Sequence, residues 1–226
     1  MIHTLIIDPD FRSLLPNYKM SMIEAEVVNG PYNFELQREI DQTKGMIATN
    51  CRIDEIKEIP AIKYTREAYK KLGKDPNRYR PAAEQLRRRI LKGIGLYTIN
   101  ALVDMGNLVS LETGFSIGVF DAEKVSNQIL IRRGKKEDLF EGIGRGILNV
   151  EGLPLYVDEI GPFATPTSDS ERSKVLTQTK KTLIFINNFI PQDNEAIRTM
   201  SEAEERTFFL LRHFLSAKNV EITRYQ

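Results

Sequence analysis

The stretch MIEAEVV at 22–28 alternates cleanly: Ile23, Ala25 and Val27 fall on one face, Glu24 and Glu26 on the other. A period of two predicts a half-buried strand. HTLIID at 3–8 predicts another strand that opens the chain. In residues 31–50 the spacing changes, and Phe34, Leu36 and Ile40 recur at roughly helical intervals. A helix is predicted over 59–73, stopped by Gly73, and a second where Pro81 suits the first turn after an entry at Asn77 or Tyr79. Its stripe is Ala82, Leu86 and Ile90, and Gly93 ends it. After a break at Gly93 and Gly95, a third helix is expected from about Thr98 to Leu111.

The second half turns to β structure. QILIRRG at 128–134 reads as a strand, and residues 146–161 as two strands around a turn at Glu151 and Gly152. Ser168 or Asp169 is placed to cap one helical turn with Glu171 in its first residues. TLIFINNFI at 182–190 is apolar throughout, as a central buried strand would be. A long helix within 193–218 and an alternating strand at 220–225 close the chain. This mixture predicts a single α+β domain, layered α/β, over 1–226, with residues 1–60 an N-terminal extension of the same domain.

Composition narrows the function classes. With 226 residues, 32 Lys and Arg against 31 Asp and Glu, and a net charge of +1, any nucleic-acid contact must come from a local patch. One cysteine, Cys51, allows no internal disulfide and suggests a reducing compartment; with two distant histidines it makes a Cys/His metal site improbable. The N-terminal apolar run is too short for a signal peptide, and no stretch approaches a membrane span. The expectation is a cytoplasmic protein with no membrane partner, no metal and no cofactor.

Three segments carry candidate chemistry. RYRPAAEQLRRRILKG crowds Arg78, Arg80, Arg87, Arg88, Arg89 and Lys92 into a short span. It is either a solvated helix with Glu84 pairing to Arg88 or a phosphate-contacting face, to which RRGKK at 132–136 would add. The helix at 98–111 sets Asp104 and Asn107 among apolar residues, and Asp121 follows as a turn or cap. ATPTSDSER gathers Thr165, Thr167, Ser168, Asp169, Ser170, Glu171 and Arg172: a polar loop, or a donor and acceptor cluster beside a strand end. No Ser-His-Asp pairing is legible, and GIGRG at 142–146 fits neither phosphate-loop spacing.

Taken in order, these segments resemble the B3/B4 domain of the phenylalanyl-tRNA synthetase beta subunit. The carriers are Val103, Asp104 and Asn107; Ile117, Val119, Phe120 and Asp121; Arg132; and Glu171, Ser173, Val175 and Thr179, over roughly 70–190. The resemblance implies a three-layer domain with an unusual β-sandwich and packed helices. It also implies hydrolysis of the ester joining a wrong amino acid, typically tyrosine, to tRNA, here by a free-standing relative acting in trans. Asn107 and Glu171 match the family's pocket residues, and both are the expected catalytic pair, Glu171 as the acid that recognises a tyrosine hydroxyl. Gly106, Gly118, Thr167, Ser168 and Asp169 are expected to line the substrate site, and Arg80, Arg87, Arg88 and Lys92 to contact tRNA.

Two departures stand out. Gly118 replaces the family's His, which removes an imidazole and is expected to enlarge the pocket, and Gly106 replaces its usual Thr. The hydrolytic geometry is then supplied differently, the amino-acid specificity has changed, or the activity is gone. A non-catalytic tRNA- or RNA-binding module and a protein that binds a free amino acid therefore stay open beside the editing reading.

Overall fold

In the computed structural model, which describes residues 3–191 and 194–226, the chain begins with β1 (Thr4–Ile7), α1 (Pro9–Leu14), β2 (Lys19–Glu26) and α2 (Phe34–Asn50). Three helices follow: α3 (Pro60–Lys71), α4 (Ala82–Leu91) and α5 (Ala101–Thr113). Then come β3 (Ile117–Asp121), β4 (Gln128–Arg133), β5 (Glu141–Gly142), β6 (Gly146–Ile147), β7 (Pro154–Val157), β8 (Pro162–Thr165) and β9 (Ser168–Asp169). β10 (Lys181–Asn188), α6 (Asn194–Leu215) and β11 (Lys218–Tyr225) complete it.

Two sheets face each other. One runs in the order β1-β4-β7-β8-β9, the other in the order β11-β2-β10-β3. Their common filling is aromatic: Phe185 of β10 meets Tyr156 of β7 at a tilt, 4.7 Å between ring centroids, and Phe120 of β3 edge-on at 5.0 Å, and Phe120 meets Phe163 of β8 edge-on at 5.4 Å. All four rings are buried. At one margin the Leu5 amide of β1 donates to the Tyr225 hydroxyl of β11. The sheets are thus aligned, β1 over β11 and the β8–β9 margin over β3. The outer face of the second sheet carries Ile23, Val119, Ile184 and Ile186, which pack against Leu102 and Met105 of α5 and Leu210 and Leu211 of α6. Sheet, sheet and helices make three layers in an α+β fold.

Most elements stand where the periodicity puts them, and the exceptions have local causes. α1 was not legible as a helix: Asp8 accepts a hydrogen bond from the Phe11 amide and Pro9 starts the first turn, so the residues that end β1 also cap a helix. β2 spans 19–26 instead of 22–28. α5 starts at Ala101 because the Asn100 side chain takes the Val103 amide, and it runs to Thr113 before Gly114, at φ +80°, stops it. Residues 146–161 do hold two strands, but β6 pairs with β5, and the Glu151–Gly152 turn leads out of that hairpin into the large sheet. Ser168 and Asp169 cap no helix; they are β9, paired with Thr165 and Ala164. The alternating strand starts at Lys218, and the first residue assigned to the last helix, 193, lies outside the described residues.

Truncating the central ring tests this layer. Phe185→Ala should cost about 3–5 kcal/mol of unfolding free energy in urea, the usual penalty for a buried Phe whose neighbours cannot close the gap. A loss under about 1 kcal/mol would mean that the sheets do not depend on it.

Candidate functional site

The two-residue strand β9 presents different chemistry on its two faces. Ser168 lies opposite Thr165, and both line a cavity on the outside of the sheet. Asp169 lies opposite Ala164, which belongs to the core between the sheets, so its side chain is directed inward at the sandwich margin. Asp169 is half-buried, and its carboxyl makes no hydrogen bond or ion pair with any described residue. Desolvation with no compensating partner pushes its pKa up to about 7.

Across the margin lies β3, at the edge of its own sheet. Here the glycines correct the sequence reading. An added Cβ at Gly118 would stand 2.4 Å from the tip of the Phe120 ring, so the space where the family has an imidazole is filled by a phenyl group and no larger pocket results. Gly106 is buried, and a Cβ there would meet the Val119 side chain at 2.4 Å; it lets α5 close on β3 and does not line an open site. Both glycines are packing residues.

Gly106 and Ser110 face β3, where the Ile117 amide donates to the Ser110 hydroxyl. Leu102, Met105 and Val109 turn into the core shared with α6, and Glu112 pairs with Arg206 of that helix. Successive helix residues step by about 100°. Asn107 therefore projects from the flank of α5 opposite α6. It is half-buried, and its amide has no hydrogen-bond partner among the described residues. Asp104 is scaffold: it accepts from the Ile99 amide and Gln37, and desolvation raises its pKa to about 6. Asp121 is scaffold too, accepting from the Glu123 amide at 3.1 Å and the Thr179 hydroxyl at 2.8 Å.

Glu171 follows β9 and ties it to the β5–β6 hairpin. Its carboxylate accepts from the Gly144 amide at 3.0 Å and pairs with Lys174; that Lys174 hydrogen bond, with the amide, holds its pKa below the usual range. Thr167 and Ser168 line the outer cavity together with Arg80, whereas Asn107, Gly118 and Glu171 do not border it. The structure thus brings Arg80, Thr167 and Ser168 to one cavity on the outer face of β9, whereas Asn107 on α5, Gly118 on β3, Asp169 on β9 and Glu171 after it stand on separate elements with no hydrogen bond or ion pair between them among the described residues.

The basic set does not form one patch. Arg87 is buried; its guanidinium bonds to the Leu111 carbonyl, so it fastens α4 to α5 and is no RNA contact. The buried stripe is Ala83, Glu84, Arg87 and Ile90, displaced from the expected Ala82, Leu86 and Ile90 because α4 is wedged between α2, α3 and α5. Glu84, fully buried, takes Arg66 and Arg88 at 2.8 Å each and has Arg80 at 3.6 Å. The expected Glu84–Arg88 pair is present, and it occupies Arg88. Lys92 is exposed past the far end of α4 from Arg80, about 15 Å away along the helix. What the sequence did not single out is Arg145, from the GIGRG run, which reaches Gln85 of α4 at 2.8 Å. Only the fold puts it beside Arg78 and Arg80.

Comparison with known proteins bears on this arrangement. A family model described as the B3/4 domain matches residues 64–208. The chain belongs to the B3/4 domain family. It is similar to the phenylalanine–tRNA ligase beta subunit of Bartonella quintana (strain Toulouse), 30% identical over 122 residues, which are 51% of this chain and 15% of that protein. The corresponding subunit of Neisseria meningitidis serogroup B is 32% identical over 102 residues, 38% of this chain and 12% of that one. The chain thus matches only about a seventh of these relatives' length. Among solved structures, an N-terminal fragment of the phenylalanyl-tRNA synthetase beta subunit from Pyrococcus horikoshii matches with a TM-score of 0.43 and 14% identity, over 98% of this chain and 52% of that one.

The B3/4 match begins inside α3 and ends inside α6, so it leaves out β2 and β11. Yet β2 lies between β11 and β10 in the second sheet. In this member the residues before the matched region supply an inner strand of the B3/4 sandwich. They are part of its core.

Two outcomes follow from the margin. Gly118→His, which restores the family's residue type, should destabilise the fold by about 1–3 kcal/mol by overpacking against Phe120; a neutral effect would show that the ring moves aside freely. A carboxyl raised from 3.8 to about 7 binds its proton more tightly in the folded state. Its contribution is full below about pH 4 and is lost as pH rises through about 7. Denaturant titrations should therefore show a larger fall in stability between about pH 4 and 7 for the wild type than for Asp169→Asn. Equal falls would place the Asp169 pKa outside that window.

Proposed function

We propose that this chain is a trans-editing hydrolase, which cleaves the ester between a wrongly attached amino acid and tRNA in the cytoplasm. The observation that carries the reading is the B3/4 match over residues 64–208, within which the Asp169 carboxyl and the Asn107 amide make no hydrogen bond among the described residues. An aminoacyl ester needs no redox or group-carrier chemistry. It needs a water deprotonated as its oxygen attacks the carbonyl carbon, stabilisation of the oxyanion, and expulsion of the ribose oxygen, which takes up a proton. A base with a pKa near the working pH is the most effective for the first step. Asp169 fills that role. Asn107, with an unengaged amide, orients the substrate or donates to the oxyanion. Glu171 remains the acceptor for a polar group on the amino acid, held charged by Lys174. A pocket that bonds a hydroxyl rejects the analogue without one, because its own polar group is then left unpaired.

The experiment is incubation with tRNAs charged in turn with each amino acid. The wild type should release one or a few amino acids, at a rate that rises with pH through about 7. Asp169→Asn should lower that rate by about 10²-fold or more, and Asn107→Ala and Glu171→Ala should each lower it as well. No release above the buffer blank for any charged tRNA rejects the proposal. A second reading, RNA binding without turnover, is favoured by one feature, the phenyl ring that stands where the family keeps an imidazole. It expects salt-dependent tRNA binding with every ester left intact.

A further inference from the structure

The cavity on the outer face of β9 has a composition that the hydrolytic step does not use. About 170 Å³ in volume, it is lined by Arg78, Arg80 and Arg145 and by the hydroxyl residues Thr165, Thr167 and Ser168, with no aspartate or glutamate in its wall. Arg78 and Arg145 make no ion pair with any described residue; the guanidinium of Arg145 reaches only the neutral amide of Gln85. The Nε of Arg80 is buried with no hydrogen-bond partner among the described residues, its ion-pair partner Glu84 standing 3.6 Å away. The Thr165 hydroxyl oxygen already accepts from the Thr167 and Ser168 amides, which leaves its proton to donate. Three cations held around one cavity repel each other, a cost that a bound anion removes. Guanidinium forks with hydroxyl donors match a tetrahedral oxyanion bearing several acceptor oxygens.

We propose that this cavity is a phosphate site, which seats one backbone phosphate of the RNA whose ester the chain cleaves. The RNA assignment rests on the editing reading; the phosphate chemistry rests on the cavity alone. Its position fits the task. Ser168 lines the cavity and Asp169, the next residue, faces the opposite side of the same strand. A phosphate fixed on one face of β9 therefore fixes the RNA end relative to the carboxyl on the other. Glu84 serves the site from beneath, holding Arg66, Arg80 and Arg88 around the start of α4.

The test measures binding, so it is independent of turnover. Fluorescence anisotropy of uncharged tRNA is followed over a salt series for the wild type, for the double variant Arg78→Gln/Arg145→Gln, and for Arg52→Gln as a control. All three positions are exposed, and Arg52 is absent from the cavity. The double variant should bind about tenfold or more weakly at low salt. Its plot of log affinity against log salt should be shallower by about one unit, the counterions released from a single phosphate. The control should match the wild type. Unchanged affinity and slope in the double variant overturn the proposal. Inorganic phosphate separates the sources: if it raises the melting temperature of the wild type, but not of the double variant, while tRNA does not bind at low salt, the site takes a small phosphate and the RNA assignment falls. A chain that hydrolyses no ester but shows the predicted binding change sinks the editing reading and keeps the phosphate site.

Discussion

The contact between Phe185, Phe120, Tyr156 and Phe163 sets the separation and alignment of the two sheets. Aromatic rings bury large apolar areas and prefer tilted or edge-on meetings, so the layer is strong and also directional. Its consequences reach the margin. Phe120 can lie where it does only because residue 118 has no side chain, and β3 can approach α5 only because residue 106 has none. The same ring that holds the sandwich together also takes the room that the family's histidine needs. Core packing and site chemistry are thus coupled through a single pair of residues two positions apart on one strand.

A second constraint governs the arginines. Glu84 is a fully buried carboxylate, which is tolerable only with cations around it, and Arg66 and Arg88 supply them at hydrogen-bonding distance. The cluster accounts for much of the basic character of α4 without any external partner, and Arg87 is spent on the carbonyl of Leu111. Arg78 and Arg145 have no ion pair among the described residues, and the cavity that they line with Arg80 has no acidic side chain in its wall. A net charge of +1 therefore says little about local electrostatics here.

The division between legible and illegible elements follows from range. The alternation at 22–28, the stops at Gly73 and Gly93, and the apolar run of β10 are local signals, and the structure has strands and helices at each. The Asp8 cap is equally local, but the same residues ended a strand, so the helix behind it was masked. Within α4 the spacing marked Ala82, Leu86 and Ile90 as the apolar stripe, and the choice of the Ala83–Arg87–Ile90 face was made by α2, α3 and α5, which no window along the chain contains. The loop at 165–172 supplied the right residue types but the wrong local structure: a pairing with β8 turned an expected helix cap into a strand.

By itself the sequence determined the order and type of most elements, the α+β class, the family, and Asp121 as a turn or cap residue, because periodicity, caps and motif order are properties of neighbouring residues. Only the tertiary structure decided that Gly118 leaves no pocket, that Arg87 is interior, that Asp169 faces inward while Ser168 faces out, and that Arg145 joins Arg78 and Arg80. Those facts depend on which surfaces meet across the fold, and two faces of one strand, or two segments 65 residues apart, acquire a shared environment only when packing creates it.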